Sequence, residues 1–207
     1  MSTAEDTADG ETSAWGEVTP DAARRLLIAA VEAFAERGYH ATTTRDIAGR
    51  AGMSPAALYI HYKTKEELLH RISRIGHEKA LEILQTAARR EGTPNERLAD
   101  AVSSFVRWHA GDVRRRGWCS TSWTRSVRTP APRSSRCAWQ CDAEVRGIIE
   151  DGVAAGAFDV LDVHGTTLAV LSLRIDVARW FNVDGPWTPD EVGALYADLV
   201  LRMVGAK

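Results

Sequence analysis

Between Thr43 and Lys65 the chain reads TTRDIAGRAGMSPAALYIHYKTK, with a helix-capping residue on either side of Gly52, a pattern for two short helices across a tight turn. Thr43 is placed to cap the first helix, and Asp46, three residues on, to return the hydrogen bond in a capping box. Ile47, Ala48 and Ala51 give that helix one apolar face. Gly52 supplies the left-handed backbone that a tight helix–helix connection needs. Ser54 caps the second helix, with Pro55 at its first position, where a missing N–H costs nothing. Leu58 belongs to the core, while Tyr59, His61 and Tyr62 sit at the far end. Such a unit is the usual way to lay a short helix into the major groove of DNA.

The rest of the chain has helical period. Thr19-Pro20 opens a first helix with Leu27, Ala30, Val31 and Phe34 on one face and Gly38 at its close. Thr64 caps a long helix, with Glu67 expected to complete its capping box and an end near Arg90. Thr93-Pro94-Asn95-Glu96 starts another, 142–154 and 162–181 make two more, and Thr188-Pro189-Asp190-Glu191 opens the last, which runs to about Val204. No alternating strand pattern of useful length appears. The expectation is an all-α fold of about nine helices.

Charge narrows the class. The net charge is −2, which argues against a surface that binds nucleic acid everywhere. From Arg37 to Lys65, however, five Lys or Arg face one acid, Asp46, a local basic patch suited to a small DNA footprint. The first 18 residues carry five acids and no Lys or Arg, and read as a disordered acidic arm rather than a signal peptide. No apolar run approaches the ~20 residues of a membrane span. Three cysteines make no disulfide framework, and a cytoplasmic protein is expected.

Residues 24–69 resemble the amino-terminal domain of the TetR family of transcriptional regulators. The resemblance is carried by Gly38-Tyr39, Thr42-Thr43, Ile47-Ala48, Ala51-Gly52, Ser54, Leu58-Tyr59, His61-Tyr62 and Lys65-Glu66-Glu67-Leu68. It implies a three-helix helix-turn-helix DNA-binding domain at 19–65 and a helical-bundle ligand-binding and dimerisation domain at 66–207, with 1–18 as the arm. Ala56 departs from the pattern, since the family commonly has Gly there, and sets the recognition helix slightly further from the bases.

The helix-turn-helix nominates the DNA contacts. Ser54, Pro55, Ala56 and Ala57 open the second helix, and their small side chains suit close approach and thymine-methyl contacts. Arg45 is the candidate for a guanine or phosphate contact, and Thr43 and Thr44 for phosphate at a helix N-terminus. By resemblance, Tyr59, His61 and Lys65 clamp the DNA backbone. The resemblance also implies that the last two helices pair with a second copy into a four-helix interface, here through Leu168, Leu171, Ile175 and Ala178 and through Leu195, Leu199 and Met203. The segments GIIEDGVAAGAFDV and RWFNVDGPWTPDEVGALYADLVLRMV look most like the subgroup answering to acyl-CoA thioesters and related lipids. The partners implied are double-stranded DNA, a second copy of the chain and a small-molecule effector such as an acyl-CoA, with no membrane, and ligand release of a repressor is the family's usual logic. The ligand-binding residues are not legible.

An enzyme or metal protein is the rival class. The six histidines include no close ligand pair with a cysteine, and neither a Gly-rich phosphate loop nor a G-x-S-x-G elbow is present. No catalytic residue, metal or cofactor is expected. The second rival is a helical ligand-binding or scaffold protein that has lost specific DNA binding.

One stretch stands apart. Between Asp112 and Asp142 lie seven arginines, no lysine and no acid, with Trp118, Trp123, Trp139, Cys119 and Cys137. Pro130 and Pro132 are expected to break any helix there. Two readings of the anomalous 113–141 stand. Compensating frameshifts in GC-rich coding sequence are one, because a shifted reading from Gly117 has helical period, a Gly-Pro-Asp turn and both signs of charge. A native Arg/Trp-rich insert, including an arginine cluster for the phosphates of CoA or nucleic acid, is the other. The gene sequence across codons 112–142 separates them.

Overall fold

The computed structural model describes residues 15–110, 132–182 and 184–207, apart from the side chains at 132–135, 138, 174–176 and 178–179. Eight α-helices and no strand occur among the described residues. They are α1 (Asp21–Arg37), α2 (Thr44–Arg50), α3 (Pro55–His61), α4 (Lys65–Ala88), α5 (Pro94–Ala110), α6 (Pro132–Ala154), α7 (Val163–Trp180) and α8 (Pro189–Met203). The all-α expectation holds, with eight helices among the described residues.

Local chemistry sets the helix starts. Thr43 and Asp46 form the capping box of α2, and Thr188 and Glu191 that of α8. Thr93 and Glu96 exchange the same pair of bonds ahead of α5. At α4 the box is incomplete. The Thr64 hydroxyl accepts from the Glu67 N–H, but the Glu67 carboxylate accepts from the backbone N–H of Lys63, one residue further back. α4 also ends at Ala88 rather than near Arg90.

α6 corrects another expectation. It begins at Pro132, ten residues before the expected start at 142 and inside the anomalous stretch. Proline lacks only an N–H that the first turn leaves unpaired anyway, so Pro132 opens this helix instead of breaking it. Pro130 and most of 113–141 lie outside the described residues.

Two apolar cores share α4. The first gathers α1, α2 and α3 with Leu68, Leu69, Ile72 and Ile75 of α4. The second gathers Ala80, Leu84 and Ala87 of α4 with α5, α6, α7 and α8. This 24-residue helix, about 36 Å long, therefore runs from one core into the other. The first core also takes in Trp15 and Val18, 6% and 4% exposed, so the end of the expected disordered arm is ordered and packed. Residues 1–14 lie outside the described residues. In the second core α8 lies closely along α5, because Gly193 has no Cβ. One built there falls 3.0 Å from the Ser103 carbonyl oxygen and from Arg107 Cγ.

Candidate nucleic-acid interface

α2 and α3 are joined as their residues predict. Gly52 has φ 68°, and Met53 donates to the Ala48 carbonyl at 2.8 Å. Arg25 of α1 donates to the Ala51 carbonyl at 2.5 Å, which holds the turn against the first helix. The Ser54 hydroxyl accepts from the Ala57 N–H at 3.2 Å. Leu58 is fully buried, and Tyr62, just beyond α3, donates its hydroxyl to the Ala23 carbonyl at 3.1 Å. Burial pushes the Tyr62 phenol up to about 12, so it stays a donor at neutral pH. α3 is thus pinned at both ends and in the middle.

Its outer face is open. Ser54, Pro55, Ala56 and Tyr59 are exposed, while Ala57 and His61 are half-buried. The Tyr59 hydroxyl lies 3.1 Å from the Thr44 hydroxyl, a bond that ties the end of the exposed helix to the start of α2. Arg45 is exposed beside them. Thr43 spends its hydroxyl proton on Asp46, at 2.7 Å, and that bond holds the Asp46 carboxyl below its ordinary range. Thr44, whose partner is another hydroxyl, keeps more freedom to meet a phosphate.

Lys65 has an internal role that no spacing rule reveals. Its ammonium donates to the Tyr39 and Thr42 carbonyls, each at 2.8 Å, and lies 4.3 Å over the Tyr39 ring. Tyr39 in turn donates to the Glu66 carboxylate at 2.7 Å. Burial, and then Glu66, raise the Tyr39 phenol far above its usual value, while the same bond lowers the Glu66 carboxyl. An ammonium has three N–H bonds, and the Tyr39 and Thr42 carbonyls take two of them.

The basic patch is smaller than the count of charges implied. Arg50 is bound by Glu36 and Glu32 of α1, and Arg37 faces Asp46 at 3.7 Å. Those glutamates lie outside the stretch in which charge was summed. Among the described residues Arg45 and Lys63 form no ion pair, and both are exposed.

The expected dimer face lies at the opposite end. Leu168, Leu195, Leu199 and Met203 are exposed by 39–47%, and Leu171 is half-buried. Ile175 and Ala178 fall within α7, with side chains outside those described. A cleft of about 200 Å³ is bounded by Ala110, Phe181, Gly185 and Trp187. No cluster of metal-ligating side chains occurs among the described residues, nor a helix long and apolar enough to cross a membrane.

Residues 26–72 match the model for bacterial regulatory proteins of the tetR family, and 91–204 match the tetracyclin repressor-like C-terminal domain. The chain belongs to the TetR family. Its members are regulators, and this one is a DNA-binding transcriptional regulator rather than an enzyme. A TetR-family regulatory protein from Rhodococcus RHA1 superposes with a TM-score of 0.81 at 38% identity, over 91% of this chain and 100% of that one. The transcriptional activator FasR of Mycolicibacterium smegmatis is 38% identical over 176 residues, 80% of this chain and 75% of FasR. The transcriptional repressor KstR2 of Rhodococcus jostii is 31% identical over 191 residues, 85% of this chain and 87% of KstR2. The solved KstR2 of Mycobacterium tuberculosis, described as a ketosteroid transcriptional regulator, has a TM-score of 0.80 at 26% identity, over 93% of this chain and 98% of that one.

Proposed function

We propose that this TetR-family protein is a ligand-released repressor that binds a palindromic operator as a homodimer. In this reading 19–65 is the DNA-binding domain and 66–207 the regulatory one. The observation that carries it is α3, pinned to its core by Leu58 and Tyr62 while Ser54, Pro55, Ala56 and Tyr59 stay open. Ser54 to Ala57 face the base edges, and Arg45 takes a guanine or a phosphate. Thr43, Thr44, Tyr59, His61 and Lys65 meet the backbone, which fixes register and carries the salt dependence.

The exposed leucines of α7 and α8 support pairing with a second copy, which sets two recognition helices on one duplex. The effector is a fatty-acid-like molecule or an acyl-CoA. The two carboxy-terminal segments support that class. An effector acts only through its different affinities for the DNA-competent and DNA-incompetent states. Activation is a second reading, favoured by the 38% identity with FasR, an activator.

The test is fluorescence-anisotropy titration against duplex from upstream of the protein's own gene, in a salt series, with and without an acyl-CoA panel. Saturable binding that outcompetes random duplex, weakens with salt and drops roughly tenfold in Arg45→Ala is the expected result. Binding no better than to random duplex there and in a genome-wide pull-down leaves a ligand-binding protein without an operator. Tighter binding on adding acyl-CoA would overturn ligand release, and transcription from the same upstream region in vitro then separates an activator from a co-repressed repressor.

A further inference from the structure

α3 carries a large aliphatic side chain on its outer face. Ile60 is 80% exposed, more than Tyr59 at 51%, although it sits beside the buried Leu58 in sequence. At about 100° of turn per residue, Ile60 and Ala56 each lie roughly 200° from Leu58, in opposite senses, and so within roughly 40° of each other on the outer face. The two make an aliphatic stripe along the middle of that face. Around it stand the Thr44–Tyr59 hydroxyl pair and the cations Arg45 and Lys63, neither of them in an ion pair among the described residues.

A β-branched aliphatic side chain on a capped, pinned helix gains by leaving water. The partner that fits has an apolar knob inside an anionic frame. In the major groove that knob is the C5-methyl of thymine, and the frame is the phosphate backbone. We propose that Ile60, with Ala56 beside it, reads a thymine methyl and so selects an A·T pair at one position of each operator half-site. The inference rests on the DNA-binding reading above and names a specificity-determining residue for it. An apolar protein surface with an acidic rim is the competing occupant.

The experiment starts from duplexes that the full chain selects out of a random-sequence library. Each thymine is then replaced singly by deoxyuracil, which removes the methyl and nothing else. One position per half-site is expected to cost the wild type about fourfold in Kd, the worth of burying one methyl group. Ile60→Ala, which loses the contact in both half-sites, is expected to bind the parent duplex about sixteenfold more weakly, fourfold per half-site, and to be indifferent to uracil at that position, while still responding like the wild type elsewhere. Its thermal unfolding should match the wild type, because Ile60 is largely exposed. Identical uracil profiles in both proteins overturn the proposal and leave salt-dependent operator binding standing. Failure to enrich any duplex overturns the proposal together with the DNA-binding reading, and points to a protein partner for the stripe.

Discussion

At Lys65 one ammonium serves two masters. Two of its N–H bonds hold the Tyr39 and Thr42 carbonyls, and in the proposed DNA-binding reading the third meets a phosphate. Lys65→Met should therefore change two readouts at once. Urea unfolding is expected to show a loss of about 1–2 kcal/mol, because two part-buried carbonyls lose a charged donor. DNA titrations should show weaker binding and a log K against log salt slope shallower by about two, one phosphate contact for each subunit of the dimer. A loss of stability with an unchanged slope means that Lys65 supports the loop and touches no phosphate. The residues around it also mark what a linear reading misses. Tyr39 and Glu66 lie 27 positions apart, and Arg50 meets Glu36 across 14. No helical period links such pairs, so neither the Lys65 clamp nor the partial neutralisation of the basic patch was visible in advance.

The helix starts behave differently, because a cap is a bond between residues three apart. The boxes at Thr43, Thr93 and Thr188 form as their spacing indicates, and only Glu67 reaches past its cap to Lys63. The cap carboxylates of Asp46, Glu96 and Glu191 sit below their ordinary values of 3.8, 4.5 and 4.5. Asp46 is lowered first by the Thr43 hydroxyl, and the glutamates first by the backbone N–H groups of Thr93 and Thr188. A carboxyl lowered on folding stabilises the protein above its unfolded pKa, and that share is lost as pH falls through the folded value. Thr188→Ala should cost about 1 kcal/mol at pH 7. The deficit should shrink on acidification below ~4.5, where Glu191 protonates in the unfolded chain. Urea unfolding of wild type and variant at pH 7 and pH 3 checks this, and an equal deficit at both would leave the lowering of Glu191 to the backbone N–H of residue 188, which alanine keeps.

For the molecule as a whole, the question is what covers the apolar sides of α7 and α8. Leu168, Leu195, Leu199 and Met203 remain 39–47% exposed in the single chain. A charge placed there has a high desolvation cost if a second copy covers it and almost none if water does. Leu195→Glu with Leu199→Glu is expected to give a monomer by light scattering, with unchanged helix content by circular dichroism. Losing the second half-site contact should then weaken operator binding about a hundredfold or more. A dimer that persists in this variant, with DNA binding intact, would place the interface elsewhere.

The sequence alone determined the all-α class, the helix starts other than that of α6, and the helix-turn-helix with its capped α3, because capping, glycine turns and helical period act over a few residues. Local rules also held the exposure of Ile60, opposite Leu58 on one short helix, though there the polar neighbours drew the attention. Only the tertiary structure decided that Trp15 and Val18 belong to the first core, that Pro132 opens α6, and that α4 runs from one core into the other. It alone also showed that Arg50 is held by α1 while Arg45 and Lys63 are not. The reason is physical: which side chains are buried, and which charges are already paired, depends on segments far apart in the chain that meet only once it has folded.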